Sequence, residues 1–594
     1  MILFSVFAGL LCLLMLAALE LNKNALWGLL LFAALTVVFF FVYARFLHGG
    51  GALGKVLGWL CWLGCFAAVF FLSWPPTRPV PAWDGDAPLR SDVVSLKDGD
   101  VRGVVIMDGA VELYAGIPYA APPVGNLRWA EPAPVKPWAG VLEADHFAPM
   151  SMQPVSLPIV DSLTQIIGYH DYRVDLKNRY VPPVSEDSLY VNVWKPAGAA
   201  EKLPVLVFIH GGSLKTGQPW YNDYAGKGLA AAENVVVVNM GYRLGVFGYY
   251  ADEELAAESP NGTTGNYGLL DQIQALRWVR ENIAFFGGDP DNVTLAGESA
   301  GSASVSALCT SPLARGLFLR VLLESSTVAS AQPPHSFRLL PEALSSGADL
   351  KKRHHAASVA DLRALKAEAL VGEAETQHHI TVDGYALAEL PMASYRKGIH
   401  NEEAVLHGYN SEESGPFILF SRANLKNYEE KVRGYFKSYA DEVLALYSPS
   451  TDAEADQFWA AVYGAVFFNY PHYCLNRLEN ECGVPVYEYF FSRKNGRLGP
   501  WHSGEMIYFY GNLPERSSLF TEEDHRLSRV VMDYIGRFCR SGDPNGEGLP
   551  LWEPNTTNRR LLTLDGEVRM EDERFLPLYD ILDRMTGWTA PGGV

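Results

Sequence analysis

Residues 286–301, FGGDPDNVTLAGESAG, are the feature that most restricts how this chain can fold. The β-branched and apolar run 292–296 predicts a short buried strand. Residues 297–301 then fit the pattern G-x-S-x-G, whose glycines permit a sharp turn and a close approach of strand and helix. The small residues 302–308 favour a helix packed tightly on that strand. The pattern predicts that Ser299 is presented at the end of a sheet, beside the positive end of a helix.

A G-x-S-x-G pattern by itself is weak support for a nucleophile, because it also arises by chance in ordinary glycine-flanked turns. The strand before it and the helix after it provide the context that the motif needs. The whole stretch 286–301 also resembles the serine signature of the type-B carboxylesterases, which include carboxylesterases, cholinesterases and bacterial para-nitrobenzyl esterases. This resemblance implies an α/β-hydrolase fold and a serine esterase.

Continuous apolar runs elsewhere predict further buried strands. They cover residues 204–209, 235–238, 320–324 and 404–409, and apolar residues at helical spacing predict a helix near 270–280. Alternating strands and helices are typical of an open, mostly parallel sheet with helices on both faces. The predicted fold class is therefore α/β, as the resemblance to the α/β-hydrolase fold also implies.

Three further blocks, residues 115–129, 185–193 and 242–248, resemble the same family. The resemblance spans roughly residues 95–580 and fades at 154–184 and 330–400. In the first block we interpret Arg128 as a structural residue.

One departure from the family concerns a disulfide. Ser188 stands where the family has a cysteine, and Ser151 stands where its partner occurs in a Cys-x-Gln motif. Both ends of that loop-closing disulfide are therefore absent. Residues 154–184 correspond to the loop that overhangs the active-site entrance in cholinesterases, but their composition differs, so the resemblance carries no choline-binding role.

Three almost uncharged apolar runs, residues 2–19, 25–43 and 56–73, lie at the start of the chain. Each approaches the ~20 residues that cross a hydrocarbon core, so we predict three transmembrane helices. A cleaved signal peptide is the alternative for residues 1–20, but no basic residue precedes the run and two similar runs follow.

The predicted organisation has three parts. Residues 1–74 form the membrane region, residues 75–90 a stiff proline-rich linker, and residues 91–594 one catalytic domain. Arg45 and Lys55 favour a cytoplasmic loop between the second and third spans. We therefore expect an extracytoplasmic catalytic domain, periplasmic in a bacterial source, although basic residues such as Lys23 oppose this orientation.

A serine nucleophile needs a general base, and the base needs a carboxylate to orient it. In this fold the order along the chain is serine, acid, histidine. Ten histidines follow Ser299, and His502 lies in a Gly/Pro loop some distance after the predicted strand 485–491. Residues 502–511 resemble the family's histidine block, so we assign His502 as the base.

The acid is expected after the strand 404–409, where Glu412 and Glu413 are adjacent. Neighbouring loop residues point apart, so only one should reach His502. Alignment of Gly408 and Asn410 with the family's G-x-N-x-D-E-G block places Glu413 on the catalytic glutamate.

The oxyanion donors are predicted to be the backbone N–H groups of Gly212, Ser213 and Ala300. Residues 210–214, HGGSL, follow a predicted core strand and resemble the family's oxyanion loop, with Ser213 at its third glycine. A plain glycine turn is the alternative interpretation of this stretch. We interpret His210 as a structural histidine.

Composition excludes some partners. The formal net charge is −19, which argues against binding of nucleic acid because phosphates would be repelled. The cysteines and histidines show no zinc-site spacing, and we expect no metal or organic cofactor. Cys474 and Cys482 either close a short disulfide loop or remain thiols. The sequence does not indicate an oligomeric state.

The resulting hypothesis is a membrane-anchored serine carboxylic-ester hydrolase that acts on a small-molecule ester through Ser299, His502 and Glu413. Two alternatives stay open. One is a non-catalytic adhesion or receptor domain, because esterase-like folds also serve that role. The other is a transacylase at the membrane surface, which would use the same three residues.

Overall fold

The computed structural model describes residues 2–83, 85, 87–168, 174, 176–198, 202–331, 333, 337–494 and 499–588. By internal contacts the chain divides into two compact units. The first unit comprises Met1–Val80 and Val155–Pro183, and the second comprises Pro81–Pro154 and Val184–Val594.

In chain order, the strands are β1 (Val80–Pro81), β2 (Leu89–Ser95), β3 (Asp100–Ile106), β4 (Val111–Pro118), β5 (Val141–Glu143), β6 (His146–Phe147), β7 (Met150–Ser151), β8 (Val184–Ser185), β9 (Tyr190–Pro196), β10 (Leu203–Ile209), β11 (Val236–Met240), β12 (Gly288–Glu298), β13 (Arg320–Glu324), β14 (Phe337–Leu339), β15 (Ile380–Val382), β16 (Ala404–Asn410), β17 (Val486–Phe491), β18 (Arg560–Leu564) and β19 (Arg569–Asp572). The α-helices are α1 (Ile2–Leu21), α2 (Leu26–Val42), α3 (Ala52–Leu72), α4 (Pro158–Gly168), α5 (Lys227–Glu233), α6 (Gly245–Tyr249), α7 (Glu253–Glu258), α8 (Tyr267–Asn282), α9 (Ala300–Thr310), α10 (Leu340–Arg353), α11 (Val359–Arg363), α12 (Ala367–Leu370), α13 (Pro391–Tyr395), α14 (Gly415–Ile418), α15 (Tyr428–Phe436), α16 (Ala440–Leu446), α17 (Asp452–Gly464), α18 (Tyr470–Cys482), α19 (Met506–Phe509), α20 (Glu522–Ser541) and α21 (Leu576–Thr586).

The first unit contains three helices that are long and apolar enough to cross a membrane, over Phe4–Leu21, Leu26–Leu47 and Ala52–Leu72. They correspond to the three predicted spans. A π-helical turn, Tyr43–Leu47, extends the second of them. Most of their apolar side chains face outward, as lipid-facing side chains do.

A polar contact joins the turn between α1 and α2 to the end of α3. Asn24 Nδ2 donates to Ser73 Oγ at 2.8 Å and to the Phe70 carbonyl at 2.7 Å. The Ala25 N–H donates to the Ser73 carbonyl at 2.8 Å. The α1–α2 turn and the point where the chain leaves α3 therefore lie at the same end of the three helices.

The second unit is built on a mixed sheet with strand order β19-β18-β17-β16-β13-β12-β10-β11-β9-β4-β3-β2, in which β5 also pairs with β3. The pairs from β11 through β10, β12, β13, β16 and β17 to β18 are parallel. The flanking pairs β11–β9, β9–β4, β4–β3, β3–β2 and β18–β19 are antiparallel. Helices α8, α9 and α20 pack on its central strands.

The central strands agree with the apolar runs in the sequence. Every side chain of β11, β16 and β17 is buried, and so are those of β10 after Leu203. Runs of this kind are expected in parallel strands that are covered on both faces. The α/β prediction is confirmed in its central parallel part, and the antiparallel flanks make the sheet mixed rather than uniformly parallel.

Cys474 and Cys482 are thiols, which decides between the two alternatives left by the sequence. Both lie on α18, eight positions apart. Eight residues of α-helix rise by about 12 Å, which is too far for a disulfide. Burial raises the pKa of both thiols, that of Cys482 to about 11.

Candidate active site

The serine turn lies between β12, which ends at Glu298, and α9, which begins at Ala300. Ser299 has φ 55° and ψ −125°, a conformation that non-glycine residues rarely adopt. A Cβ on Gly301 would lie 2.0 Å from the Ile209 carbonyl oxygen, so glycine is required where helix and sheet approach. The turn is thus strained and tightly packed, as expected of a nucleophile elbow.

His502 contacts both of its predicted partners. Its Nε2 atom lies 2.8 Å from Ser299 Oγ, and its Nδ1 atom lies 2.6 Å from Glu413 Oε2. The three residues follow the carboxyl ends of the parallel strands β12, β16 and β17, which meet at one edge of the sheet. The structure therefore brings together residues that are 203 and 89 positions apart in the sequence.

Glu413 is held in place through its other oxygen. Glu413 Oε1 accepts hydrogen bonds from the Asn410 N–H at 2.7 Å and from Ser325 Oγ at 2.6 Å. The adjacent Glu412 points elsewhere, with Oε1 3.1 Å from Lys494 Nζ. The two neighbouring carboxylates diverge, and it is Glu413 that reaches His502.

The loop predicted to supply oxyanion donors follows β10. Gly212, Ser213 and Leu214 all have positive φ, at 104°, 57° and 57°. The N–H groups of Lys215 and Thr216 each donate to the Gly212 carbonyl at 3.0 Å, which closes the loop into a tight turn. A Cβ on Gly211 would lie 2.9 Å from Ser299 Cβ, so this loop runs directly beside the serine.

His210 is buried under that loop. Its Nδ1 donates to the Gly211 carbonyl at 2.9 Å, and its ring stacks on Tyr242 with 4.6 Å between centroids. Burial lowers the pKa of His210 to about 4, although the bond to Gly211 opposes this. It is a neutral packing residue at physiological pH.

Additional carboxyl groups surround His502, and no sequence pattern assigned them a role. Glu298 Oε1 lies 3.4 Å from His502 Nε2 and accepts a hydrogen bond from Ser503 Oγ at 2.5 Å. Glu505 accepts from Asn410 Nδ2, and its Oε1 atom lies 3.2 Å from Ser325 Oγ. Glu298 and Glu505 both fall inside the serine and histidine motifs, but only the tertiary structure places them near His502.

These charges change the proton affinity of the site. Burial alone would lower the pKa of His502, but the carboxylates of Glu298 and Glu413 raise it to about 9. Burial, together with Glu413 and Glu298, raises the pKa of Glu505 to about 8. Burial likewise raises the pKa of Glu298 and, well above its usual range, that of Glu324. The carboxylates of Glu298 and Glu413 thus shift His502 toward its imidazolium form, and burial opposes that shift.

Aromatic rings cover one side of the His502 imidazole. Phe417 and Phe468 lie with ring centroids 5.1 Å and 4.8 Å from that of His502. Phe417 is itself 46% exposed, so it stands between the imidazole and solvent. No single motif marked these residues, since they come from distant helical segments.

Two buried ion pairs support the surrounding loops. Arg128 Nε lies 2.6 Å from Glu186 Oε2, and its NH1 group also donates to the Leu365 carbonyl at 3.0 Å. This is a structural role, as predicted for Arg128. Arg243 binds Asp271 through two parallel hydrogen bonds of 2.8 Å, a pair that no sequence pattern indicated.

A hydrogen-bonded pair occupies the site of the missing family disulfide. Ser151 Oγ lies 3.0 Å from Ser188 Oγ and donates to the Tyr242 carbonyl at 2.6 Å. Beside it the short strands β7 and β8 pair in parallel. Hydrogen bonds thus join the two ends of the segment that a cystine would otherwise link.

Elsewhere in the second unit, His400, Glu402 and Glu479 place one potential ligand atom each within 4.8 Å of one another. Burial and the nearby Glu402 raise the pKa of Glu479 well above its usual range.

Comparison with known proteins places the chain among esterases. A sequence profile described as "Carboxylesterase family" matches residues 90–577. The chain is 32% identical to carboxylesterase 1C of Rattus norvegicus, with 83% of this chain and 91% of the relative covered. It is 33% identical to carboxylesterase 5A of Canis lupus familiaris, with 87% and 90% covered. It is also 33% identical to a fumonisin B1 esterase of Sphingopyxis macrogoltabida, with 74% and 78% covered.

Proposed function

The chain belongs to the carboxylesterase family and is a carboxylic ester hydrolase, and from this premise we propose that it works through a Ser299–His502–Glu413 triad while anchored in a membrane. The observation that carries the proposal is the occupation of both ring nitrogens of His502, one by the Ser299 hydroxyl and the other by the Glu413 carboxylate. One contact lets the imidazole take a proton, and the other fixes its tautomer.

In the first half-reaction Ser299 Oγ attacks the ester carbonyl carbon while His502 Nε2 takes the hydroxyl proton. Glu413 stabilises the imidazolium that forms and keeps Nδ1 protonated. When the tetrahedral intermediate collapses, the bond to the alkoxide breaks and His502 passes its proton to the leaving alcohol. The product is an acyl-enzyme on Ser299.

Developing negative charge on the carbonyl oxygen would be bound by the N–H groups of Gly212, Ser213 and Ala300. Within the described residues, these three N–H groups have no hydrogen-bond acceptor in the protein. Each donor in such a hole typically contributes about 3 kcal/mol to transition-state stabilisation. Water then attacks the acyl-enzyme with His502 as base, which releases the acid and restores Ser299.

Two alternative functions differ from this proposal, a non-catalytic domain and a transacylase. A non-catalytic adhesion or receptor domain would not need a complete triad beside an oxyanion loop, whereas this chain fills each of those positions. A transacylase would share every step up to the acyl-enzyme and differ only in the alcohol that accepts the acyl group.

Labelling with a fluorophosphonate and hydrolysis of short-chain p-nitrophenyl esters test the mechanism together. Wild-type protein should be labelled and active, and Ser299→Ala should lose both properties. Retained hydrolysis in Ser299→Ala would contradict the triad, and an unlabelled, inactive wild type would favour the adhesion role. Product analysis with an added alcohol acceptor separates a hydrolase from a transacylase.

We also propose that the three N-terminal helices anchor the enzyme, with the catalytic unit extracytoplasmic and, in a bacterial source, periplasmic. Helix length and apolar composition support the anchoring. Arg45 and Lys55, near the turn between the second and third helices, support the orientation. Protease added to spheroplasts, whose outer membrane is opened while the inner membrane stays intact, should digest residues after 90, and protection of these residues would reverse the assignment.

A further inference from the structure

Helix α4, Pro158–Gly168, belongs to the same compact unit as the three apolar helices, although it is about ninety residues away in the sequence. It has three different faces. One edge, with Pro158 and Ser162, is buried. A second strip exposes Val160 and Leu163, and a third carries the polar residue Gln165.

The buried edge of α4 lies against the end of α1. Ser162 Oγ donates to the Leu21 carbonyl at 2.8 Å, which satisfies one of the last carbonyls of α1. Later in the same segment Arg179 is buried, with NH1 2.5 Å from Glu20 Oε2 and Nε donating to the Asn24 carbonyl. The segment is therefore fixed at the α1–α2 turn by an ion pair and backbone contacts.

The ends of α1 and α3 define the position of α4 along the direction in which the three apolar helices run. The α1–α2 turn lies at the same end as Ser73, where the chain leaves α3. For helices that cross a bilayer, their last residues lie near the boundary between acyl chains and headgroups. A helix docked at the end of α1 is placed at that boundary.

The exposed strip of α4 near the end of α1 is apolar. Leu157, Val160 and Leu163 are 51%, 47% and 43% exposed, while Leu13 and Leu14 of α1 expose 65% and 68%. The apolar surface of α4 thus adjoins a helix whose own outer surface is apolar. Exposed apolar side chains gain free energy by leaving water, at about 25 cal/mol per Å².

We propose that α4 is an interfacial helix that lies in the plane of the phospholipid bilayer, with Leu157, Val160 and Leu163 in the upper acyl region and Asp161 and Gln165 toward water. The proposal rests on the proposed membrane crossing of α1–α3. Because α4 contains no lysine or arginine, burial of apolar area rather than attraction to anionic headgroups holds it there.

The test uses the full chain in phosphatidylcholine nanodiscs, with the partly exposed Cys12, Cys61, Cys65 and Cys482 replaced by alanine. A single cysteine carrying an NBD fluorophore is then introduced at one position at a time. Leu163→Cys tests the apolar strip and Gln165→Cys the polar strip of the same helix. Leu60→Cys in α3, which is 58% exposed, is the control for a site in the acyl core.

Lipids with a nitroxide near the headgroup end of the acyl chain should quench the Leu163→Cys label at least twofold more than the Gln165→Cys label. Lipids with a deeper nitroxide should quench the Leu60→Cys label most. Replacing half of the lipid with phosphatidylglycerol should leave the Leu163→Cys quenching unchanged.

Equal, weak quenching at Leu163→Cys and Gln165→Cys, with strong quenching at Leu60→Cys, would overturn the interfacial helix and leave the membrane anchor intact. No quenching at Leu60→Cys would instead overturn the anchor itself. Quenching at Leu163→Cys that appears only with phosphatidylglycerol would contradict the apolar origin of the contact.

Discussion

Glu298 Oε1 lies 3.4 Å from His502 Nε2, the same nitrogen that contacts Ser299 Oγ. The base of the proposed triad therefore has a carboxylate on each side, Glu413 at Nδ1 and Glu298 at Nε2. An anion at Nε2 favours the imidazolium, both in the resting enzyme and after proton transfer from the serine. The pH dependence of catalysis should therefore reflect both carboxylates.

Glu298→Gln should extend activity to lower pH. The Glu298 carboxylate raises the pKa of His502, and only the neutral imidazole can take the serine proton. Removal of that charge lowers the pKa, so the ascending limb of the kcat/KM profile should move to lower pH. Glu412→Gln, at the half-buried neighbour of Glu413, should leave the limb in place. If the ascending limb of Glu298→Gln stays in place or moves to higher pH, the Glu298 carboxylate does not raise the pKa of His502.

Glu413→Gln should lower kcat by three to four orders of magnitude, because an amide stabilises the imidazolium poorly and favours the wrong tautomer, and comparable losses of about 10⁴-fold accompany such changes in serine hydrolases. Glu412→Gln is the matched control and should retain nearly full activity. Steady-state hydrolysis of a p-nitrophenyl ester measures both. A larger loss of kcat in Glu412→Gln than in Glu413→Gln would instead assign the acid of the triad to Glu412.

Ser213→Gly should retain kcat and raise thermal stability modestly. Ser213 has φ 57°, where glycine has no steric penalty, and its expected contribution to the oxyanion hole is the backbone N–H, which glycine keeps. Relief of left-handed strain contributes about 1–3 kcal/mol, and the greater entropy of glycine in the unfolded chain offsets about 0.4–1 kcal/mol of that gain. A large loss of kcat would show that the hydroxyl itself takes part.

Gly301→Ala should destabilise the catalytic unit, since its Cβ would lie 2.0 Å from the Ile209 carbonyl oxygen. Overpacking of this kind typically costs about 1–3 kcal/mol. Gly434→Ala in α15 is the matched control, because its Cβ would meet no atom within 4 Å. Differential scanning fluorimetry should show a lower melting temperature for Gly301→Ala only. Equal melting temperatures would mean that the elbow has room for a methyl group.

The sequence predicted the elements whose signal is local. The apolar runs of β10 and β16 and the glycines around Ser299 each carry a pattern within a few residues, so strand, turn and helix follow from short-range chemistry. Glu298 and Glu505 lie within recognised motifs, but their proximity to His502 depends on how three strands align in the sheet. No local pattern encodes that distance.

The placement of residues 155–183 beside the N-terminal helices could not be predicted from the sequence, for a different reason. Arg179 and Ser162 bind residues near the start of the chain, 159 and 141 positions away, and polar residues at such separation show no periodicity. The absence of the family cysteines at Ser151 and Ser188 could be recognised in the sequence. The hydrogen-bonded pair that stands in place of the disulfide, beside the paired strands β7 and β8, could be seen only in the folded chain.

The Ser151–Ser188 contact bears on how the enzyme can be produced and handled. Every one of the seven cysteines is a thiol, and Ser151 and Ser188 are joined by a hydrogen bond instead of a covalent bridge. Maturation then requires no oxidoreductase, and dithiothreitol should neither slow refolding nor reduce turnover. Protein made in a host with a reducing interior should therefore reach the same turnover as protein made in an oxidising compartment.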